Sequence, residues 1–140
     1  KYHSYPKFYH FYADTWICEL SRLSGKFLLL KKFFIKIKPH YVFHLAAQSL
    51  VKKSYKDPLI TWNTNLIGTL NILESLRQLN NNCSAIIITS DKCYLNKEKK
   101  SGYKESDELG GYDPYSASKA STEHVFFSEY HSFLKFNKKN

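Results

Sequence analysis

Two short apolar runs, Tyr41-Val42-Phe43-His44-Leu45 and Ala85-Ile86-Ile87-Ile88-Thr89, constrain this chain more than any other feature. Each is too short for a stable helix and is bounded by turn residues, Pro39 before the first and Asn80, Asn81 and Asn82 before the second. Such runs read as strands buried in a parallel sheet. Between them Leu59, Trp62, Leu66, Leu70, Leu73 and Leu76 recur at three- and four-residue steps, which predicts one helix of about 20 residues. Asp57-Pro58 opens it, with Asp as the cap and Pro in the first turn. Glu74 and Arg77 add an i,i+3 pair. Two parallel strands joined through a helix form a crossover unit. Its ligands lie outside the carboxyl ends of the strands. That places His44–Gln48 and Thr89–Lys92 on one rim.

Leu20, Leu23, Phe27, Leu30, Phe34 and Ile37 predict an earlier helix over 19–38, stopped by Pro39. Residues 95–111 are polar and carry Gly102, Gly110 and Gly111, so a loop over the sheet is expected. A third helix is expected over 115–134, with Ala117, Ala120, His124 and Phe127 near one face. The fold class is therefore α/β, a parallel sheet flanked by helices. Two regions are expected: a divergent segment 1–39 with a helix, and a sheet domain over 40–140.

Composition removes other classes. The chain has 140 residues, 43% hydrophobic and 24% charged, enough for one modest core and too apolar for a disordered tail. Lys and Arg number 21 against 12 Asp and Glu, a net charge of +9, which raises the question of a nucleic-acid surface. Lysine runs occur at 31–38, 97–100 and 135–139, with no zinc-finger, RNA-recognition or helix-turn-helix pattern. A solvated surface and no nucleic-acid partner are expected. Cys18, Cys83 and Cys93 make no C-x-x-C, and the His residues do not cluster at ligand spacing. Hence no disulfide framework and no metal are expected, and the cytoplasm is the expected compartment. Phe27–Ile37 is apolar but carries Lys31, Lys32 and Lys36; a packed surface helix is favoured over one lying on a membrane, and no membrane partner is expected. The aromatics of residues 1–18, Tyr2 to Trp16, are expected to pack locally rather than stack on bases. Met is absent even at position 1, and the expectation is a piece of a longer reading frame.

Tyr115 and Lys119 are spaced i,i+4 near a helix start and so share a face. An ammonium beside a phenol stabilises the phenolate and makes it a usable base. Ser90 offers a hydroxyl to the same substrate oxygen, and Asp91 a proton donor. With 11 Tyr and many Lys this spacing alone arises by chance; its place 24 residues after Asp91, behind two strand ends, gives it weight.

Four stretches, VFHLAAQSLVKKSY (42–55), TNLIGTLNILES (64–75), TSDKCY (89–94) and GYDPYSASKASTE (111–123), carry a resemblance across about 60% of the chain. HLAAQ and YxxxK resemble the extended short-chain dehydrogenase/reductase superfamily, and within it the nucleotide-sugar dehydratases. TSDKCY and GGYDPYSASK point to the branch acting on CDP-glucose, because Lys92 stands where related dehydratases carry Glu. The resemblance implies a Rossmann-like domain with NAD as cofactor. It implies that CDP-glucose becomes CDP-4-keto-6-deoxy-glucose by oxidation at C4, loss of water across C5 and C6, and return of the hydride to C6. Tyr115 would take the C4 hydroxyl proton, Ser90 would assist, Asp91 would protonate the leaving hydroxyl, and Lys92 would stand near C5 and C6. Lys119 would also bind the nicotinamide ribose; Ala46, Ala47 and Gln48 would line the cofactor, with Asn65 close by. His44 reads as a strand-end structural residue. The family implies a homodimer through the helices near 59–79 and 115–134.

The Gly-rich first turn of such folds, which holds the pyrophosphate, is absent from residues 1–40. The later sheet and the sugar-binding domain are absent as well. The expectation is a partial sheet that does not turn over alone. Two other readings stay open: another NAD-dependent nucleotide-sugar epimerase or dehydratase, and a non-catalytic nucleotide-binding or assembly fragment.

Overall fold

The computed structural model describes residues 26–135. Helix α1 (Lys26–Ile37) leads into strand β1 (Tyr41–His44). Helices α2 (Val51–Lys56), α3 (Pro58–Trp62) and α4 (Gly68–Arg77) follow, the last two joined by a π-helical turn at Asn63–Ile67. Strand β2 (Ser84–Ile87), a 3-10 turn (Asp91–Cys93), helix α5 (Pro114–Glu129) and a second π-helical turn (Tyr130–Leu134) complete the order. The expected α/β architecture is present. The 19–25 part of the first predicted helix, the aromatic stretch 1–18 and Cys18 lie outside the described residues.

The two strands pair in parallel, with Tyr41 opposite Ser84 and His44 opposite Ile87. Backbone bonds from Ser84 N–H to His40 O (2.9 Å) and Ile88 N–H to His44 O (3.0 Å) extend the ladder at both ends. The core lies on one face of this sheet. Leu30 and Phe34 of α1 meet Ile72, Leu73, Leu76 and Leu79, with Val42, Ala85 and Ile87 packed beneath. Helix α1 packs through Leu30 and Phe34, with Lys32 and Lys36 exposed, and no helix of the described residues is long and apolar enough to cross a membrane. Lys38 takes a left-handed backbone (φ 50°), turning the chain into Pro39. Asn81 Nδ2 donates to Pro39 O (3.0 Å) and pins this corner to the start of β2.

Three expectations need correction. The strands are not buried on both faces: Tyr41 (72% exposed), Phe43 (58%) and Leu45 (65%) stand open with Ile86 and Ile88. The helices of the described residues cover only the opposite face. Second, Asp57 does not cap through its side chain. Its backbone instead ends α2, Asp57 N–H donating to Lys53 O (2.8 Å), and its carbonyl accepts from Thr61 N–H. Third, the stripe through Leu59, Leu66 and Leu70 is not the buried one. Leu59 is exposed, whereas Thr61, Thr64 and Asn65 are buried. The π-helical turn inserts about one residue, which rotates the face by roughly 100° relative to α4.

Candidate functional site

The rim is built where the chain leaves β1. After buried His44 and Ala46, the segment bends away at Gln48, whose side chain holds the bend: Leu50 N–H donates to Oε1 (2.7 Å), and Nε2 donates to Leu50 O (3.1 Å) and Thr61 Oγ1 (2.9 Å). Asn65, in the π-helical turn and almost fully buried, clamps the same bend. Its Oδ1 accepts Gln48 N–H (2.8 Å), and its Nδ2 donates to Gln48 O (3.1 Å) and to Ser118 Oγ (2.8 Å). Both amide protons of Asn65 and one of its two carbonyl lone pairs are thus spent within the chain. Ser118 passes its own proton to Tyr115 O (2.7 Å), and Thr122 Oγ1 bonds Ser118 O (2.8 Å) and Asn65 O (3.3 Å). A buried polar node therefore locks the β1 exit, the π-helical turn and α5 together.

Helix α5 carries the predicted pair. Asp113 caps it, Oδ1 accepting from Ser116 N–H (3.0 Å) and Oδ2 from Ser116 Oγ (2.6 Å), with Pro114 in the first turn. Its inner face is Tyr115, Ser118, Lys119 and Thr122; of the expected face Ala120 is buried and Ala117 half-buried, whereas His124 and Phe127 are exposed. Tyr115 and Lys119 are both buried, on consecutive turns. Burial pushes the Lys119 amine below its ordinary range, countered in part by the carboxylate of Glu123 and by Cys93. His44 is held down at about 4, by burial first and the charge of Lys119 second. Thr69 gives its proton to Asn65 O (2.7 Å), so the 3.0 Å contact with His44 needs the proton on Nε2. His44 is a neutral, structural residue of the strand end.

The β2 exit faces the same helix. Ser90 Oγ accepts from Lys92 N–H (3.2 Å) and donates to Asp91 Oδ1 (3.0 Å). Asp91 and Lys92 are exposed and Cys93 is buried, on a 3-10 turn that packs against α5. Gly110 N–H donates to Cys93 O (2.9 Å) and Tyr94 bridges Leu109, so the 95–111 loop returns to the rim just before α5 begins. Gly111 sits where a Cβ would meet Ser116 and lie 2.7 Å from Ala117 N.

The structure thus joins Gln48, Asn65 and the helix of Tyr115 and Lys119 directly, and holds Ser90 with Asp91 on a turn against that helix. Lys92 joins them only through its backbone. Thr89 was placed on the rim from the sequence, but its link to Glu123 and the roles of Ser118 and Glu123 went unnoticed. The available signal was their spacing: Ser118 within the YxxxK turn, and Glu123 four residues beyond Lys119.

Residues 27–137 match the model of the family described as GDP-mannose 4,6 dehydratase. Over 105 residues the chain is 46% identical to CDP-glucose 4,6-dehydratase of Salmonella typhimurium, covering 75% of this chain and 29% of that one. In structure it resembles UDP-glucose 4-epimerase of Thermotoga maritima, solved with UDP-glucose (TM-score 0.71, 25% identity, 82% of this chain and 36% of that one). It also resembles the UDP-glucose 4-epimerase of Thermus thermophilus solved with NAD (TM-score 0.65, 28% identity, 82% and 36%). The expected Rossmann-like class is the fold these neighbours share. The chain spans about three-tenths of the length of the curated relatives it matches.

Proposed function

This chain belongs to the family described as GDP-mannose 4,6 dehydratase, and on that premise we propose that it carries the reaction rim of a nucleotide-sugar 4,6-dehydratase acting on CDP-glucose. The observation that carries this reading is the burial of Tyr115 and Lys119 on consecutive turns of α5, against the turn bearing Ser90 and Asp91. The 46% identity to a CDP-glucose 4,6-dehydratase supports the choice of substrate. An epimerase reading is favoured by the structural neighbours at 25% and 28% identity. The Asp91-Lys92 pair weighs against it.

The residues fit the nicotinamide end of NAD. The buried ammonium of Lys119 has no carboxylate within salt-bridge distance among the described residues, which suits a pair of ribose hydroxyls. Ala46, buried, and Ala47, half-buried, leave the chain's exit from β1 with small side chains that would leave room for the cofactor. The polar atoms of Gln48 and Asn65 are committed inside the chain, so these two shape the cofactor's bed rather than touch it. NAD bound there would supply hydride transfer from the sugar and back to it. Lys119 stabilises the phenolate of Tyr115, whose Oη then receives the C4 hydroxyl proton. Ser90 donates to the C4 oxygen. The C4 ketone acidifies the C5 proton, which passes to solvent as Asp91 protonates the departing C6 hydroxyl, so water leaves, and Lys92 places positive charge beside C5 and C6. A dimer through the outer sides of 59–79 and 115–134, where Leu59 and Phe127 are exposed, completes the proposal, in a reducing cytoplasm that suits free Cys83 and Cys93.

The test is a chimera in which residues 41–130 replace the matching stretch of the Salmonella enzyme. It should form the 4-keto sugar from CDP-glucose, and Tyr115→Phe or Asp91→Asn should lower kcat by roughly 100-fold or more. A chimera that folds and binds NAD yet yields no keto sugar, or keeps its rate with Phe at 115, contradicts the reading.

A further inference from the structure

We propose that Glu123 is a positioning residue of this rim: its carboxylate pins the β2 exit through Thr89 and holds the ammonium of Lys119 in its charged form. The inference rests on the dehydratase reading for its purpose but not for its geometry. Thr89 Oγ1 donates to Glu123 Oε1, a hydrogen bond spanning 34 residues between the end of β2 and α5. Thr89 lies two residues before Asp91, so the bond fixes where the proton donor leaves the sheet. Glu123 also follows Lys119 by four residues, one helical turn on the same side.

The groups facing Lys119 come from three elements. Tyr115 and Glu123 stand on its own helix, His44 faces it from β1, and Cys93 from the 3-10 turn, with Asp91 beyond. His44 is neutral near pH 7, because its pKa lies at about 4. Burial favours loss of the Lys119 proton, and the Glu123 carboxylate opposes that loss. A charged lysine is the form that stabilises a phenolate and binds ribose hydroxyls. One carboxylate thus serves both halves of the rim, tying the strand end that bears the acid to the helix that bears the base.

The two roles separate by substitution. Glu123→Gln keeps an acceptor for Thr89 and removes the charge; Thr89→Val keeps the charge and removes the pin. In the 140-residue chain, competitive acetylation of lysines across a pH series, read by peptide mass spectrometry, gives the titration midpoint of Lys119, with exposed Lys56 as internal control. Hydrogen exchange reads the Cys93 and Tyr94 amides, which bond Ser90 O (3.0 Å) and Asp91 O (3.3 Å). Glu123→Gln should lower the Lys119 midpoint by about half a pH unit or more while Lys56 stays fixed. Thr89→Val should leave the midpoint in place and speed exchange at Cys93 and Tyr94 by about tenfold. Glu123→Asp, which retains the charge on a shorter arm, should keep the midpoint closer to wild type than Glu123→Gln does. An unmoved Lys119 midpoint in Glu123→Gln, or unchanged exchange in Thr89→Val, overturns the proposal. Neither readout needs a sugar nucleotide, so a failed dehydratase assay leaves this result standing, and the reverse.

Discussion

Asn65 shows what a single side chain does for this rim. It is 1% exposed, and Ala in its place strands the Gln48 N–H and the Gln48 carbonyl and removes the donor to Ser118 Oγ. The expected loss is about 2–4 kcal/mol in urea unfolding, since each buried group left unpaired costs about 1–3 kcal/mol. His44 gives the corresponding pH signature. Its folded pKa of about 4 lies below the ordinary 6.5, so the native state binds this proton less readily than the unfolded chain. Stability from His44 is therefore full above pH 6.5 and falls as pH drops from 6.5 toward 4, by roughly 3 kcal/mol in all. Unfolding free energies at several pH values should show this slope, and His44→Asn should flatten it. At this scale the pairing of Tyr115 with Lys119 was legible, because i,i+4 spacing fixes a shared face whatever the fold. The role of Asn65 was only half legible. An amide on a helix says nothing of which backbone it will reach, and its partners lie 17 and 53 residues away.

The two strands and the helices over 58–77 and 114–134 fell where the apolar periodicity placed them, but α2 (Val51–Lys56) was not foreseen and the faces of two helices did not follow. Across 58–77 the leucine stripe obeys one helical period, but the π-helical turn at Asn63–Ile67 breaks the register, and no residue type there announces it. In α5 the inner face is hydroxyl-bearing, Ser118 and Thr122, because it packs on a polar node; a rule that seeks apolar stripes selects Phe127 instead. The start of α5 depends on Gly111, where a Cβ would crowd Ser116 and approach Ala117 N to 2.7 Å. Gly111→Ala should shift the helix start that carries Tyr115 and cost about 1–3 kcal/mol, measured as a lowered melting temperature. A neutral result would show that the Gly110–Asp113 approach yields easily.

The molecule as described is a two-stranded sheet with one face bare. Tyr41, Phe43, Leu45, Ile86 and Ile88 form an apolar surface of the kind that parallel sheets cover on both sides. Among the described residues no glycine-rich turn cradles a pyrophosphate, and the chain spans 29% of its CDP-glucose relative. Mixed alone with NAD and CDP-glucose, the chain should therefore yield no 4-keto sugar. Product that depends on Tyr115 would show that the rim is self-sufficient. The most direct test of the whole account traces hydrogen in the chimera, using CDP-glucose deuterated at C4. The account predicts a 4-keto-6-deoxy product with deuterium at C6, and none with Tyr115→Phe. Deuterium found still at C4 of an epimerised hexose would contradict it.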